Sequence, residues 1–221
     1  MRMSIHVFWD WNGTLCDDVL LALEAVNEML RKRSRAPIGL EDYYSYIDIP
    51  IRRFYEHVFD LNELPMEVIA AEYNAYYDAH LREDCLMEGA RETLHILREA
   101  GVKQYILTSS HRESVLPTVE RLGLLPFFDA VLGAEDWHVL SKAERARTFC
   151  AENGLLGEDL WFIGDMLHDL DTANACGASC LLIPGGHQSE EDLRKAGDCF
   201  CERITDVPKR IKTAQKAAKN D

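Results

Sequence analysis

One change of pattern along this chain restricts its possible folds more than any other. Residues Ile5, His6, Val7, Phe8 and Trp9 form a short apolar run rich in β-formers; it ends at Asp10, and Asn12, Gly13 and Thr14 follow with turn chemistry. The next stretch carries only helical spacing. Val19, Leu20, Leu23, Val26, Met29 and Leu30 recur at helical intervals over 17–33, where Asp17 and Asp18 suit the positive end of the helix dipole, and further helices are predicted over 40–46, 51–59 and 65–81. Strand and helix then alternate: helix 92–100 closed by Gly101, strand 102–107 ending at Thr108-Ser109-Ser110, helix 113–122, strand 130–132, helix 143–153, strand 160–163, helix 170–176 and strand 179–183. A Lys-rich terminal helix from Lys209, fraying toward Asp221, completes the pattern.

Strands separated by helices imply right-handed crossovers and a parallel sheet covered on both faces. The expected fold is α/β: a Rossmann-like parallel sheet with an inserted α-helical cap subdomain. The expected division is a core of 1–16 with 85–221 and a helical cap of 17–84. A chain of 221 residues suits one core plus such an insertion, and 47% hydrophobic content suits a globular protein that folds alone. A net charge of −14, with no basic stripe interleaved with aromatics, argues against nucleic acid and anionic membranes as partners. The same charge repels a phosphorylated ligand at long range, so a phosphate site would need a local metal ion and local cations. Seven cysteines without paired CxxC spacing read as reduced thiols, and the absence of a signal-like or membrane-length segment points to a cytoplasmic protein, monomer or homodimer.

In open parallel sheets ligands lie beyond the carboxyl ends of the strands, near a switch in strand order. Four places of that kind carry coherent chemistry: Asp10 after the first strand, Thr108 after the second, Lys142 on the loop after the third, and Gly164-Asp165 with Asp169 after the fourth. Each residue alone also has an ordinary structural use. An Asp at a strand end commonly caps a helix or turn, Asp165 and Asp169 would suit the next helix, Thr108 and Ser109 suit a turn, and Lys142 suits a solvated surface.

Taken in order, Asp10-Trp11-Asn12-Gly13-Thr14-Leu15, Thr108, Lys142 and Gly164-Asp165-Met166-Leu167-His168-Asp169 resemble the four motifs of the haloacid dehalogenase superfamily. The resemblance spans essentially the whole chain and is nearest to the phosphoglycolate phosphatase-like branch with a helical cap of the first type. It implies a magnesium-dependent phosphohydrolase of a small phosphorylated metabolite. Asp10 is then the nucleophile, and a positioned carboxylate that forms an acyl phosphate divides a difficult hydrolysis into two displacements. Asp10, Asp165 and the Asn12 backbone carbonyl are the implied Mg²⁺ ligands, with Asp169 orienting Lys142 or a metal-bound water. Thr108, the Ser109 backbone N–H and Lys142 are the implied phosphate contacts.

The chain departs from this pattern at Asn12, where the family's phosphatases usually carry a second aspartate as general acid and base. An amide orients and donates hydrogen bonds but exchanges no proton near neutral pH. Three readings follow. The chain is a specialised phosphatase, using a good leaving group or a substitute acid such as His111, Asp17 or a cap residue; or a module that binds a phosphorylated ligand or protein with little turnover; or a phosphonatase-like C–P hydrolase. The last needs a Schiff-base lysine in the cap, and Lys32 is the only lysine of 17–84. Within the insertion, Asp48-Ile49-Pro50-Ile51-Arg52-Arg53 occupies the place of a substrate-specificity loop, with Arg52 or Arg53 as a clamp for a carboxylate or second phosphate. His57, Tyr43, Tyr44 and Tyr46 are further candidates there, against an ordinary packing role.

Overall fold

The computed structural model describes residues 4–134 and 141–217. The chain divides into two compact units, Met1–Asp17 with Leu86–Asp221, and Asp18–Cys85.

The first unit contains β1 (His6–Trp9), α5 (Ala90–Glu99), β2 (Lys103–His111), α6 (Arg112–Arg121), β3 (Ala130–Ala134), α7 (Lys142–Glu152), β4 (Leu160–Gly164), α8 (Leu167–Ala175), β5 (Ser179–Leu182), α9 (Glu190–Arg194) and α10 (Val207–Ala217). The second contains α1 (Val19–Lys32), α2 (Leu40–Tyr46), α3 (Arg52–Val58) and α4 (Met66–His80), with no strand. The five strands form one sheet in the order β3-β2-β1-β4-β5, and every pairing is parallel. The expected α/β class is therefore observed, down to the insertion of helices alone after β1.

Strand periodicity explains how the sheet is held. Phe8 lies opposite Tyr105 on one side and Phe162 on the other, so the three rings share a face and stack at centroid distances of 4.8 and 4.9 Å. Such pairs contribute about 0.5–1.5 kcal/mol each beyond their area burial. Ala146 and Cys150 of α7 and Ala173 of α8 join the same cluster and cover this face. On the alternate positions Trp9 pairs in register with Ile106 and Ile163. Its indole N–H donates to the buried Gln104 Oε1 at 3.1 Å, and Gln104 Nε2 donates to the Leu94 carbonyl of α5 at 2.9 Å, which ties that helix to the sheet. The chain leaves and re-enters this unit side by side: Cys16 bridges Leu86, and the Met87 N–H donates to the Leu15 carbonyl at 2.8 Å.

In the helical unit Val19, Ala22, Val26, Met29 and Leu30 of α1 bury one stripe against Tyr43, Phe54, Tyr55, Val58 and Ile69. Asp18 stands at the N-terminal boundary of α1, the place the dipole argument expects, without a side-chain capping hydrogen bond; its carboxylate accepts the Tyr77 hydroxyl at 2.5 Å.

Three local expectations need correction. β2 does not end at Leu107 but continues to His111, because four residues of β2 advance against two of β3 between the pairs Leu107–Leu132 and His111–Ala134. This is a bulge, and bulges redirect side chains at strand ends. Lys142 is the first residue of α7, not a loop residue. Ser141 caps that helix by accepting the Glu144 N–H, while the Glu144 carboxylate accepts the Ser141 N–H at 2.8 Å. α8 begins at Leu167, three residues earlier than predicted, because Asp169 caps its first turn by accepting the Met166 N–H at 3.1 Å. The C-terminal helix starts at Val207, and its continuation toward Asp221 lies outside the described residues. Among the described residues no helix is long and apolar enough to cross a membrane.

Candidate active site

β1 stands between β2 and β4, and the chain passes to one side of it through β2 and β3 before returning to the other side with β4 and β5. The switch in strand order therefore lies at the carboxyl ends of β1 and β4, which end at Trp9 and Gly164. Asp10 and Asp165 are the next residues on each.

Asp10, Asp165 and Asp169 each present an oxygen within 4.8 Å of the others. Lys142 Nζ joins two of them, donating to Asp10 Oδ1 at 2.7 Å and Asp169 Oδ1 at 2.6 Å, with side-chain exposures of 4, 12 and 5%. Three sequence motifs thus meet in one buried cluster, and Asp169 both caps α8 and binds the lysine.

The electrostatics follow from burial and crowding. Burial pushes the Asp10 carboxyl up; Lys142 opposes this, the neighbouring Asp169 and Asp165 add to it, and the result is about 7. Asp165 is raised to about 6, again chiefly by burial, against His187, whose charge and backbone N–H both lower it, and the Thr14 hydroxyl. Burial pulls the Lys142 ammonium down, but the combined attraction of Asp10 and Asp169 exceeds it and holds the ammonium above its ordinary range. One ammonium faces three carboxylates in a dry setting. A small divalent cation with a preference for oxygen ligands fits that donor set, because it would let all three ionise together.

Asp165 sits in a fitted cradle. Its Oδ1 accepts the Thr14 hydroxyl at 2.8 Å and its Oδ2 accepts the His187 backbone N–H at 2.6 Å. Gly13, at φ +72°, and Gly186 close on it from two sides; a Cβ at Gly13 would press on the Asp165 carboxylate and lie 2.7 Å from the His187 ring, and one at Gly186 would lie 2.5 Å from Asp165 Cβ. Side chains at these two positions would displace the carboxylate.

The bulge of β2 arranges the other wall. Thr108 is buried, and its hydroxyl accepts the Ser110 N–H at 3.1 Å, leaving the hydroxyl proton for another acceptor. Arg145 of α7 donates to the Thr108 carbonyl at 2.9 Å. Ser109 is exposed, and the Ser110 hydroxyl donates to Asn12 Oδ1 at 2.7 Å, linking the loop after β1 to the end of β2.

The residue types, their order and this geometry agree with a family comparison. The profile of haloacid dehalogenase-like hydrolases matches residues 7–183, from β1 to β5 and across all four motif positions. The chain belongs to the haloacid dehalogenase-like hydrolase family. It is 26% identical over 190 residues to a phosphoglycolate phosphatase of Pseudomonas putida, covering 82% of this chain and 70% of that protein. A haloacid dehalogenase-like hydrolase from Streptococcus pneumoniae superposes with a TM-score of 0.81 at 19% identity, over 96% of this chain and 100% of the other. The phosphate complex of CbbY from Rhodobacter sphaeroides superposes with a TM-score of 0.74 at 21% identity, over 93% and 96%. The resemblance read from the motifs is thereby borne out, and so is the assignment of a hydrolase.

Thr14 stood in the first motif and Ser110 at the end of the second strand without a site role assigned to either, and Arg145, Gly186 and His187 were not singled out by the sequence. Gly186 and His187 carried a weak signal as turn residues just beyond a strand end, whereas Ser110 and Arg145 act through non-local contacts that no spacing reveals. In the helical unit, Arg52 pairs with Glu56 at 2.9 Å and Arg53 with Asp48 at 3.1 Å, with side chains 59 and 60% exposed. Tyr43 is a core residue of that unit, and Tyr46 stacks on His57 at 4.9 Å.

Proposed function

We propose that this enzyme is a magnesium-dependent phosphohydrolase that acts on a small phosphorylated metabolite through a phospho-Asp10 intermediate. The observation that carries the reading is the Asp10 carboxylate at the switch point, 2.7 Å from Lys142 Nζ and clustered with Asp165 and Asp169. Asp10, Asp165 and the Asn12 backbone carbonyl would hold the ion. When bound, Mg²⁺ supplies positive charge that favours the ionised carboxylates and offsets charge on the transferring phosphoryl group. Asp10 attacks phosphorus; Thr108 and the Ser109 backbone N–H donate to the phosphoryl oxygens, and Lys142 keeps Asp10 ionised and oriented. Water then cleaves the acyl phosphate and restores Asp10.

The helical unit Asp18–Cys85 serves as the cap that supplies selectivity. Arg52 and Arg53 would exchange Glu56 and Asp48 for a substrate carboxylate or second phosphate. The named relatives, a phosphoglycolate phosphatase and a CbbY crystallised with xylulose-1,5-bisphosphate, support a small phosphorylated substrate of that kind. Lys32 is an exposed residue in the last turn of α1, which speaks against a buried Schiff-base lysine and the C–P hydrolase reading. Asn12 favours one rival, a phosphate-binding module with little turnover.

A Mg²⁺-dependent screen of the purified chain against phosphorylated metabolites, with intact-mass detection of a phosphorylated Asp10 peptide, tests the reading. Turnover that stops with chelator and in Asp10→Asn is expected. Undiminished turnover in Asp10→Asn would refute the mechanism, and tight binding without turnover would favour the binding module.

A further inference from the structure

We infer that Cys150 and Cys176 form a peroxide-sensitive dithiol, a modification site apart from the carboxylate cluster, which closes to a disulfide between α7 and α8. The inference goes beyond the phosphohydrolase reading and does not depend on it.

Two helices lying side by side bring the thiols together. In their first turns Lys142 of α7 meets Asp169 of α8 at 2.6 Å. Residues one and two turns further along an α-helix return to the same face. Ala146 and Cys150 therefore continue the row that Lys142 begins, and Ala173 and Cys176 continue the row that Asp169 begins. Ala146, Ala173 and Cys150 are buried in one cluster, and Cys176 packs against it. The two methyl side chains let the helices approach closely, and beyond them the Cys150 thiol hydrogen-bonds to Cys176. The loop between α7 and β4 holds both positions. The Leu155 N–H donates to the Cys150 carbonyl at 2.9 Å, and Gly157 lies so close to the Cys176 carbonyl that a Cβ would stand 2.6 Å from its oxygen.

The two sulfurs are unequal in the sense that the chemistry requires. Cys150 is 7% exposed, and its hydrogen bond to Cys176, with burial adding to the effect, holds its thiol protonated far above the ordinary range. Cys176 is half-buried; the hydrogen bond from Cys150 lowers its thiol, burial opposes this, and the Arg147 guanidinium on α7 adds to the lowering. Burial pushes the Cys180 and Cys201 thiols up instead. A thiolate is the nucleophile toward peroxide, and a resolving thiol beside it stops oxidation at a reversible stage.

Hydrogen peroxide or an organic hydroperoxide is the oxidant. Cys176 sulfur bonds to one peroxide oxygen, the O–O bond breaks, and the departing hydroxide takes up a proton, leaving a sulfenic acid. Cys150 sulfur then bonds to Cys176 sulfur, the S–O bond breaks, and water leaves with the Cys150 proton. Two thiols and one peroxide thus give one disulfide and two waters, and the new bond ties together the far ends of the helices that carry Lys142 and Asp169.

The test treats the reduced full chain with equimolar hydrogen peroxide, quenches it with iodoacetamide and maps the peptides by mass spectrometry. A Cys150–Cys176 linked peptide, reversed by dithiothreitol, is expected as the main product. In Cys150→Ser the Cys176 sulfenic acid should persist and be trapped by dimedone, whereas Cys176→Ser should leave Cys150 unmodified. Without any variant, iodoacetamide at about pH 7 should alkylate Cys176 about tenfold faster than Cys199, the other half-buried thiol, and Arg147→Gln should narrow that ratio. Alkylation of Cys199 as fast as Cys176, a linkage to another cysteine, or a wild-type Cys176 sulfenic acid that does not close would overturn the inference.

Discussion

Replacing Lys142 by Met should destabilise the metal-free protein in a manner that depends on pH. The Lys142 ammonium lies 2.7 and 2.6 Å from two carboxylates, and its side chain is 4% exposed. At an effective dielectric of about 20, each contact is worth about 6 kcal/mol of attraction before desolvation is charged against it. Removing one member of a buried ion cluster typically costs about 3–5 kcal/mol, because the remaining charges stay buried. Asp10 offers a partial escape. Its carboxyl already titrates near 7 and rises further once the ammonium is gone, so the variant neutralises it by taking up a proton. The loss should therefore be about 3 kcal/mol at about pH 8 and about half that at about pH 5, where the proton is readily available. For a protein of this length the larger figure lowers Tm by about 6–12 °C. Urea unfolding in chelator, followed by tryptophan fluorescence, is the assay. All four tryptophans belong to Met1–Asp17 and Leu86–Asp221, so the signal reports the unit that contains Lys142. A loss below about 0.5 kcal/mol, or one unchanged between the two pH values, would refute the account of a buried cluster held by one cation.

Thr14→Val removes the hydroxyl that donates to Asp165 at 2.8 Å, and should weaken Mg²⁺ binding by about 10–100-fold in calorimetric titration with little change in fold. Gly13→Ala should lower both stability and Mg²⁺ affinity, because φ is +72° and the added methyl meets Asp165 and His187; retention of wild-type Tm and affinity would show that the cradle yields. In wild type the raised Asp10 and Asp165 carboxyls, about 7 and about 6 when folded, hold protons that an unfolded aspartate with pKa about 3.9 has lost. Between those limits the native state binds more protons, so the cluster's contribution declines as pH rises from about 4 to about 7. The increase in Tm given by Mg²⁺ over chelator should accordingly be larger at about pH 8 than at about pH 5.

The elements and their order were legible because each depends on local pattern. Short runs of apolar β-formers made β1 and β4, helical spacing made α1 and α4, and the absence of strand signals marked the inserted helices. Errors fell where a boundary was set by a side chain. Ser141 and Glu144 form a capping box in plain view, which would have placed Lys142 at the first turn of α7; Asp169 fixes the start of α8 in the same way. The bulge at Thr108–Ser110 left no trace in periodicity, since it arises from pairing with β3, about twenty-five residues away in sequence.

The site shows the same division between what spacing carries and what only folding brings together. Asp10, Lys142, Asp165 and Asp169 could be read from their places beyond strand ends, because the order of the motifs along the chain carries them whatever surrounds them. Their ordinary structural uses were not wrong: Asp169 caps a helix with one oxygen and binds Lys142 with the other. A cap on a short first turn fixes the carboxylate's direction, so the structural role makes the electrostatic one possible. Asn12 is the converse case. The sequence disclosed the missing carboxylate, yet the meaning of the substitution depends on Ser110, 98 residues further along the chain, whose hydroxyl occupies the amide oxygen. An aspartate placed there would accept that same hydrogen bond, and a carboxylate stabilised in its ionised form is a poorer general acid. Asn12→Asp alone should therefore recover less alkyl phosphatase activity than Asn12→Asp combined with Ser110→Ala, a comparison of kcat/KM on glycerol phosphate that would fail if Ser110 merely supported the loop.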